Sequence, residues 1–64
     1  MDPDRCTLLL VDDEPANLDL LELVLRSRGY GRGGGRLVRV QDAREAPAAF
    51  DAARPDLVLL DLHM

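Results

Sequence analysis

The apolar residues of the chain fall into two patterns. Leu8-Leu9-Leu10-Val11 and Leu57-Val58-Leu59-Leu60 are unbroken runs. Runs without alternation suit strands covered on both faces, as in a parallel sheet. The first is predicted to span Thr7 to Val11. From Pro15 to Arg28 the period changes. Leu18, Leu21 and Leu25 share one helical stripe, widened by Val24, while Asp19, Glu22 and Arg26 lie elsewhere. Leu20 and Leu23 extend the apolar surface, which predicts a well-covered helix. Pro15 suits a first helical position, where its missing N–H costs nothing. Acidic residues precede this helix, and Arg26 and Arg28 finish it, matching the dipole at both ends. Gly29 is the expected left-handed C-cap, with Tyr30 folding back.

Gly31-Arg32-Gly33-Gly34-Gly35-Arg36 then reads as a flexible loop, and Leu37-Val38-Arg39-Val40 as a short second strand. Asp42 followed by Glu45 resembles a capping box, and the alanine-rich stretch to Arg54 reads as a second helix anchored by Phe50. Pro47 conflicts with a helix capped at Asp42, because it would remove an interior hydrogen bond. The regular helix is therefore expected from about Ala46, or with a distorted first turn. Arg54-Pro55-Asp56 breaks it before the third strand. Strand, helix, strand, helix, strand implies an α/β fold with a parallel sheet and right-handed crossovers.

Composition narrows the possibilities. Sixty-four residues make one domain at most, and a chain this short buries only about 60% of its unfolded surface. One cysteine, Cys6, excludes an intramolecular disulfide, and one histidine excludes a Cys/His zinc site. Cys6 reads as a small apolar residue at a strand start, compatible with a reducing compartment. The net charge of −4 argues against nucleic-acid binding by this segment. All eight basic residues are arginine. Arg26, Arg28, Arg32 and Arg36 flank the glycine loop, which reads as solvated rather than anion-binding, since no strand–glycine–helix arrangement surrounds it. No apolar run approaches the roughly 20 residues of a membrane span, and the N-terminus lacks the features of a signal peptide. A soluble cytoplasmic protein is expected.

The chemistry lies at the strand ends. The first strand runs into Asp12-Asp13-Glu14 and the third into Asp61. In open parallel sheets, sites lie outside the carboxyl ends of the strands. Asp12, Asp13 and Asp61 fall there together if strands one and three are neighbours. Crowded carboxylates repel, and a divalent cation removes that difficulty. An all-oxygen donor set suits magnesium rather than a softer metal. A carboxylate beside magnesium can attack a phosphoryl group in line and become an acyl phosphate. Asp61, ending a rigid strand, is the nucleophile candidate. Helix capping alone could account for Asp12-Asp13-Glu14. The pairing with Asp61 across a βαβαβ pattern favours a site.

Leu8 to Pro15 resembles the opening of a response-regulator receiver domain of two-component signalling. Pro55 to Met64 resembles the segment carrying that family's phosphoacceptor, and Arg28-Gly29-Tyr30 is a further family-like feature. The resemblance covers residues 7 to 64. It implies a flavodoxin-like fold, here truncated to βαβαβ with strand order 2-1-3, and makes residues 1–64 a partial receiver domain. By resemblance, Asp61 accepts a phosphoryl group from a histidine kinase or phosphotransfer protein. Asp12 and Asp13 hold Mg2+ with Asp61, and His63 contributes its backbone carbonyl. The imidazole of His63 reads as a loop side chain without a catalytic role.

The chain departs from that family's pattern in several places. The family's switch threonine or serine and its phosphate-contacting lysine are missing, and no lysine occurs anywhere. The usual output and dimerisation face is missing too. The glycine loop is longer than usual, and Pro47 stands where the family tends to have leucine. A signalling phosphoacceptor, not an enzyme, is the implied role, as a fragment or short product. Two alternatives stand beside it. One is a non-catalytic interaction module that self-associates through its open third-strand edge. The other is a magnesium-dependent phosphatase-like fragment. That class normally has a second aspartate two residues after the nucleophile, where this chain has His63.

Overall fold

The computed structural model describes residues 3–60. A short 3-10 turn at Pro3–Arg5 leads into β1, Thr7–Val11. Helix α1 spans Pro15–Ser27, β2 Arg36–Val40, α2 Ala46–Ala53 and β3 Leu57–Leu60. The three strands form one parallel sheet in the order β2-β1-β3. This is the expected α/β arrangement.

Strand β1 is the centre because every residue from Leu8 to Val11 has somewhere apolar to go. Leu8 and Leu10 join Cys6 and Leu18 on one face, with Leu21, Leu25, Tyr30, Leu37 and Leu59 packed around them. Leu9 and Val11 join Val40 on the other, against Val38, Ala46 and Ala49 of β2 and α2. All four residues of the run are at most 2% exposed. Full burial of each such side chain contributes about 1.5–3 kcal/mol. Cys6 is buried at the strand's start, the small apolar role its position predicted.

Helix α1 begins as its proline dictates. Glu14 is its extended N-cap, and the Glu14 carbonyl accepts from the Asn17 and Leu18 amides. It ends in a Schellman arrangement. The Gly29 amide donates to the Arg26 carbonyl at 3.1 Å and the Tyr30 amide to that of Leu25 at 3.0 Å. Gly29 has φ 96°, a region that favours glycine. Coverage of α1 departs from expectation. Leu18 is buried and Leu21 and Leu25 partly so, but Leu20, Leu23 and Val24 are 59%, 68% and 46% exposed. Leu20 and Leu23 each lie two residues, roughly 200° of helical rotation, from a sheet-facing leucine. A helix resting on one sheet face cannot bury both sides.

Pro47 is accommodated as the sequence requires. A 3-10 turn, Ala43–Glu45, precedes α2, and Pro47 falls in its first turn, where no hydrogen bond is lost. The expected capping box takes another form. The Asp42 carboxylate accepts from the Arg44 amide at 2.9 Å, not from that of Glu45, whose amide donates to the Asp42 carbonyl. A tight turn brings the nearer amide to the carboxylate first. Helix α2 ends at Arg54, whose φ of 48° and ψ of 60° are left-handed.

Candidate functional site

The parallel register defines the site. Val11 pairs with Val40 on one side and Leu60 on the other, so all three strands finish level. The start of β3 is fixed separately. The Asp56 amide donates to the Thr7 carbonyl and the Asp56 carboxylate accepts from the Thr7 amide, both at 2.8 Å.

Asp12 follows Val11 at this edge and is 1% exposed. Its amide donates to the Val40 carbonyl at 3.1 Å, extending the β1–β2 ladder by one bond. Its Oδ1 accepts from the Glu14 amide at 2.9 Å. That bond turns the chain out of the strand and toward α1. Burial of a carboxylate is costly unless charge or hydrogen bonds offset it, so this position is a specific demand of the fold. Asp12 lies in a cleft of about 410 Å³ with Asn17, Leu20 and Leu21 of α1 and Leu59 and Leu60 of β3.

Asp13 is exposed and belongs to a different depression, lined by Gln41, Asp42, Ala43, Arg44 and Glu45. The two consecutive carboxylates therefore share the edge but open onto separate hollows. Beside Asp13, Asp42 and Arg44 form a close pair. Arg44 Nη2 reaches Asp42 Oδ2 at 2.9 Å, and Nε approaches both carboxylate oxygens at 3.2 Å. The guanidinium's hydrogen bond holds the Asp42 carboxyl below its usual range, and the Arg44 pKa is raised in return.

Asp61 and His63 lie outside the described residues. Among the described residues, no three His, Cys, Asp or Glu side chains gather as a metal cluster. The donors present are hard oxygen groups, a buried Asp12 and an accessible Asp13. They match magnesium in kind. Sequence reasoning missed Asn17, the polar residue facing the Asp12 cleft. A lone asparagine in the first turns of a helix carries no signal of its own. No described helix is long and apolar enough to cross a membrane.

The chain is similar in sequence to known proteins. Over all 64 residues the chain is 40% identical to the DNA-binding response regulator MtrA of Mycolicibacterium smegmatis, covering 26% of that protein. It is 39% identical over the same length to MtrA of Mycobacterium tuberculosis, again 26% of it. It is 38% identical over 57 residues, 89% of this chain, to the transcriptional regulatory protein TrcR of M. tuberculosis, covering 20% of that protein. The chain thus spans about a quarter of the length of the curated relatives it matches. No family model and no solved structure matches it. The chain's homologues are response regulators, and its parallel sheet of order 2-1-3 is consistent with a truncated flavodoxin-like receiver fold.

Proposed function

We propose that residues 1–64 form the first part of a phosphoacceptor receiver domain in two-component signalling, acting in the cytoplasm, with Asp61 as the acceptor. The supporting observation is the register. Val11 pairs with Leu60, and in the sequence Asp12 follows the one and Asp61 the other. The buried Asp12 marks the edge as a place where the fold holds a carboxylate.

In this reading an Asp61 oxygen attacks the phosphorus of a phosphohistidine on a sensor kinase or phosphotransfer protein. The P–N bond breaks, its electron pair leaves with the imidazole, and an acyl phosphate forms. Asp12, Asp13 and Asp61, with the His63 backbone carbonyl, would hold Mg2+. When bound, that ion would offset charge on the transferred oxygens. The Glu14 amide, donating to Asp12 Oδ1, orients that carboxylate at the edge. The role is that of a signalling phosphoacceptor rather than an enzyme.

The test uses the chemistry of the bond. The chain is incubated with Mg2+ and acetyl phosphate, then treated with hydroxylamine. An acyl phosphate at Asp61 is converted to a hydroxamate, which peptide mass mapping finds at that residue. A phosphate that survives hydroxylamine, or one mapped elsewhere, contradicts the reading.

A second reading has one observation behind it. Leu57, Val58 and Leu60 of β3 are 49%, 38% and 53% exposed, along an edge strand without charge or proline. Such an edge is a template for pairing with another chain. In this alternative the chain is an interaction module that self-associates through β3.

A further inference from the structure

Residues 26–36 hold four of the eight arginines, all five glycines and none of the twelve acidic residues. With four positive charges and none negative, this stretch is opposite in sign to the chain's net charge of −4. This segment is also more fixed than its composition predicts. At one end Tyr30 folds into the core beside Leu25. At the other, Gly35 is buried, its amide donates to the Arg32 carbonyl at 2.9 Å, and the Arg36 amide donates to that of Cys6 at 3.2 Å. Between them, Arg26 Nη1 donates to the Gly31 carbonyl at 3.2 Å. Gly33, at φ 60°, lies so close to the N-terminal turn that a Cβ would stand 3.1 Å from the Asp4 carbonyl.

This frame displays charge. Arg28, Arg32 and Arg36 are exposed. Among the described residues they make no ion pair, whereas Arg26, Arg39 and Arg44 each do. They lie at the sheet edge opposite Asp12, since Arg36 pairs with Thr7 at the start of β1. Guanidinium forks match phosphate oxygens bidentately. Tyr30 is turned inward, so the loop offers a protein partner no aromatic anchor of the kind that dominates protein interfaces. A nucleic-acid backbone needs only the charge, and arginine–glycine segments are used on single strands in this way.

We propose that the α1–β2 loop is a sequence-independent docking surface for a nucleic-acid backbone, with Arg28, Arg32 and Arg36 contacting phosphodiesters. The surface is independent of the phosphoacceptor reading.

The test is fluorescence anisotropy of a labelled single strand of about 20 nucleotides, and of the matching duplex, titrated with the 64-residue chain at several salt concentrations. Three phosphate contacts predict a slope of log K against log salt of about −2 for the single strand and about −3 for the duplex. R32A/R36A, with its fold verified by circular dichroism, is expected to bind at least tenfold more weakly with about a third of that slope. R32K/R36K is expected to retain binding. If the wild-type chain does not bind at low salt, or R32A/R36A binds with an unchanged slope, the proposal is overturned. Equal competition by polyglutamate of similar charge overturns it as well, leaving a general anion surface.

Discussion

Asp56 grips Thr7 twice: its amide donates to the Thr7 carbonyl and its carboxylate accepts from the Thr7 amide, both at 2.8 Å. These bonds set where β3 starts beside β1, and a one-residue slip would turn every β3 side chain to the other face. Asp56→Ala should lower stability by about 1 kcal/mol, the typical net worth of such a bond. Thermal melting checks this, and Asp56→Asn, which keeps an acceptor oxygen, should lose less. An unchanged melt for Asp56→Ala would mean that the apolar contacts of β3 set the register alone.

Arg54 ends α2 with left-handed dihedrals, φ 48° and ψ 60°. For a residue with a Cβ this conformation costs about 1–2 kcal/mol. Arg54→Gly should therefore raise stability by up to about 1 kcal/mol, since glycine also loses more entropy on folding. Chemical denaturation would show a higher midpoint at unchanged slope. A lower midpoint would show that the arginine side chain stabilises the turn more than its backbone strains it.

The Asp42–Arg44 pair gives a pH dependence with a definite sign. The Arg44 guanidinium and amide hold the Asp42 carboxyl below its usual range. A carboxyl depressed in the folded state contributes stability that is fully present above its unfolded pKa, about 3.9. That contribution is lost as pH falls through the lower folded value. The pair is open to solvent, so the effect is small and salt-sensitive. Carboxyl NMR titration should place Asp42 below its ordinary range in wild type and move it back toward that range in Arg44→Gln, which keeps only the backbone amide. An Asp42 that titrates identically in both would contradict the pairing.

The exposed edge of β3 makes a prediction about association. With Leu57, Val58 and Leu60 accessible, self-association should grow with protein concentration. Val58→Lys places a charge on that strand, a device that blunts edge pairing. Sedimentation velocity should then show less association than in wild type. Equal association in both would move the contact to another surface, such as the exposed Leu20, Leu23 and Val24 of α1.

Much of this fold was legible in the sequence because its strongest signals are local. Two unbroken apolar runs marked β1 and β3. Pro15, Gly29 and Pro47 marked helix ends through backbone rules that no tertiary context altered. Coverage was less legible. Leu20 and Leu23 read as buried because they are leucines, yet exposure depends on what lies beside the helix. The site was legible in part. Asp12 fell at the strand end as its position predicted. Its separation from Asp13, and its alignment with Asn17, follow from the turn made by the Glu14 amide, which leaves no trace in hydrophobic pattern. Asp61 was read from its place after an apolar strand as well as from resemblance, and His63 from resemblance alone; both lie outside the described residues.

The acceptor role proposed for Asp61 can be read directly as mass. Intact mass after incubation with Mg2+ and a small phosphodonor tests it most directly. A gain of one phosphoryl group is expected in the wild-type chain, none in Asp61→Asn, and a strongly reduced gain in Asp12→Asn or when Mg2+ is chelated. No gain in the folded wild-type chain, or an undiminished gain in Asp61→Asn, would contradict it.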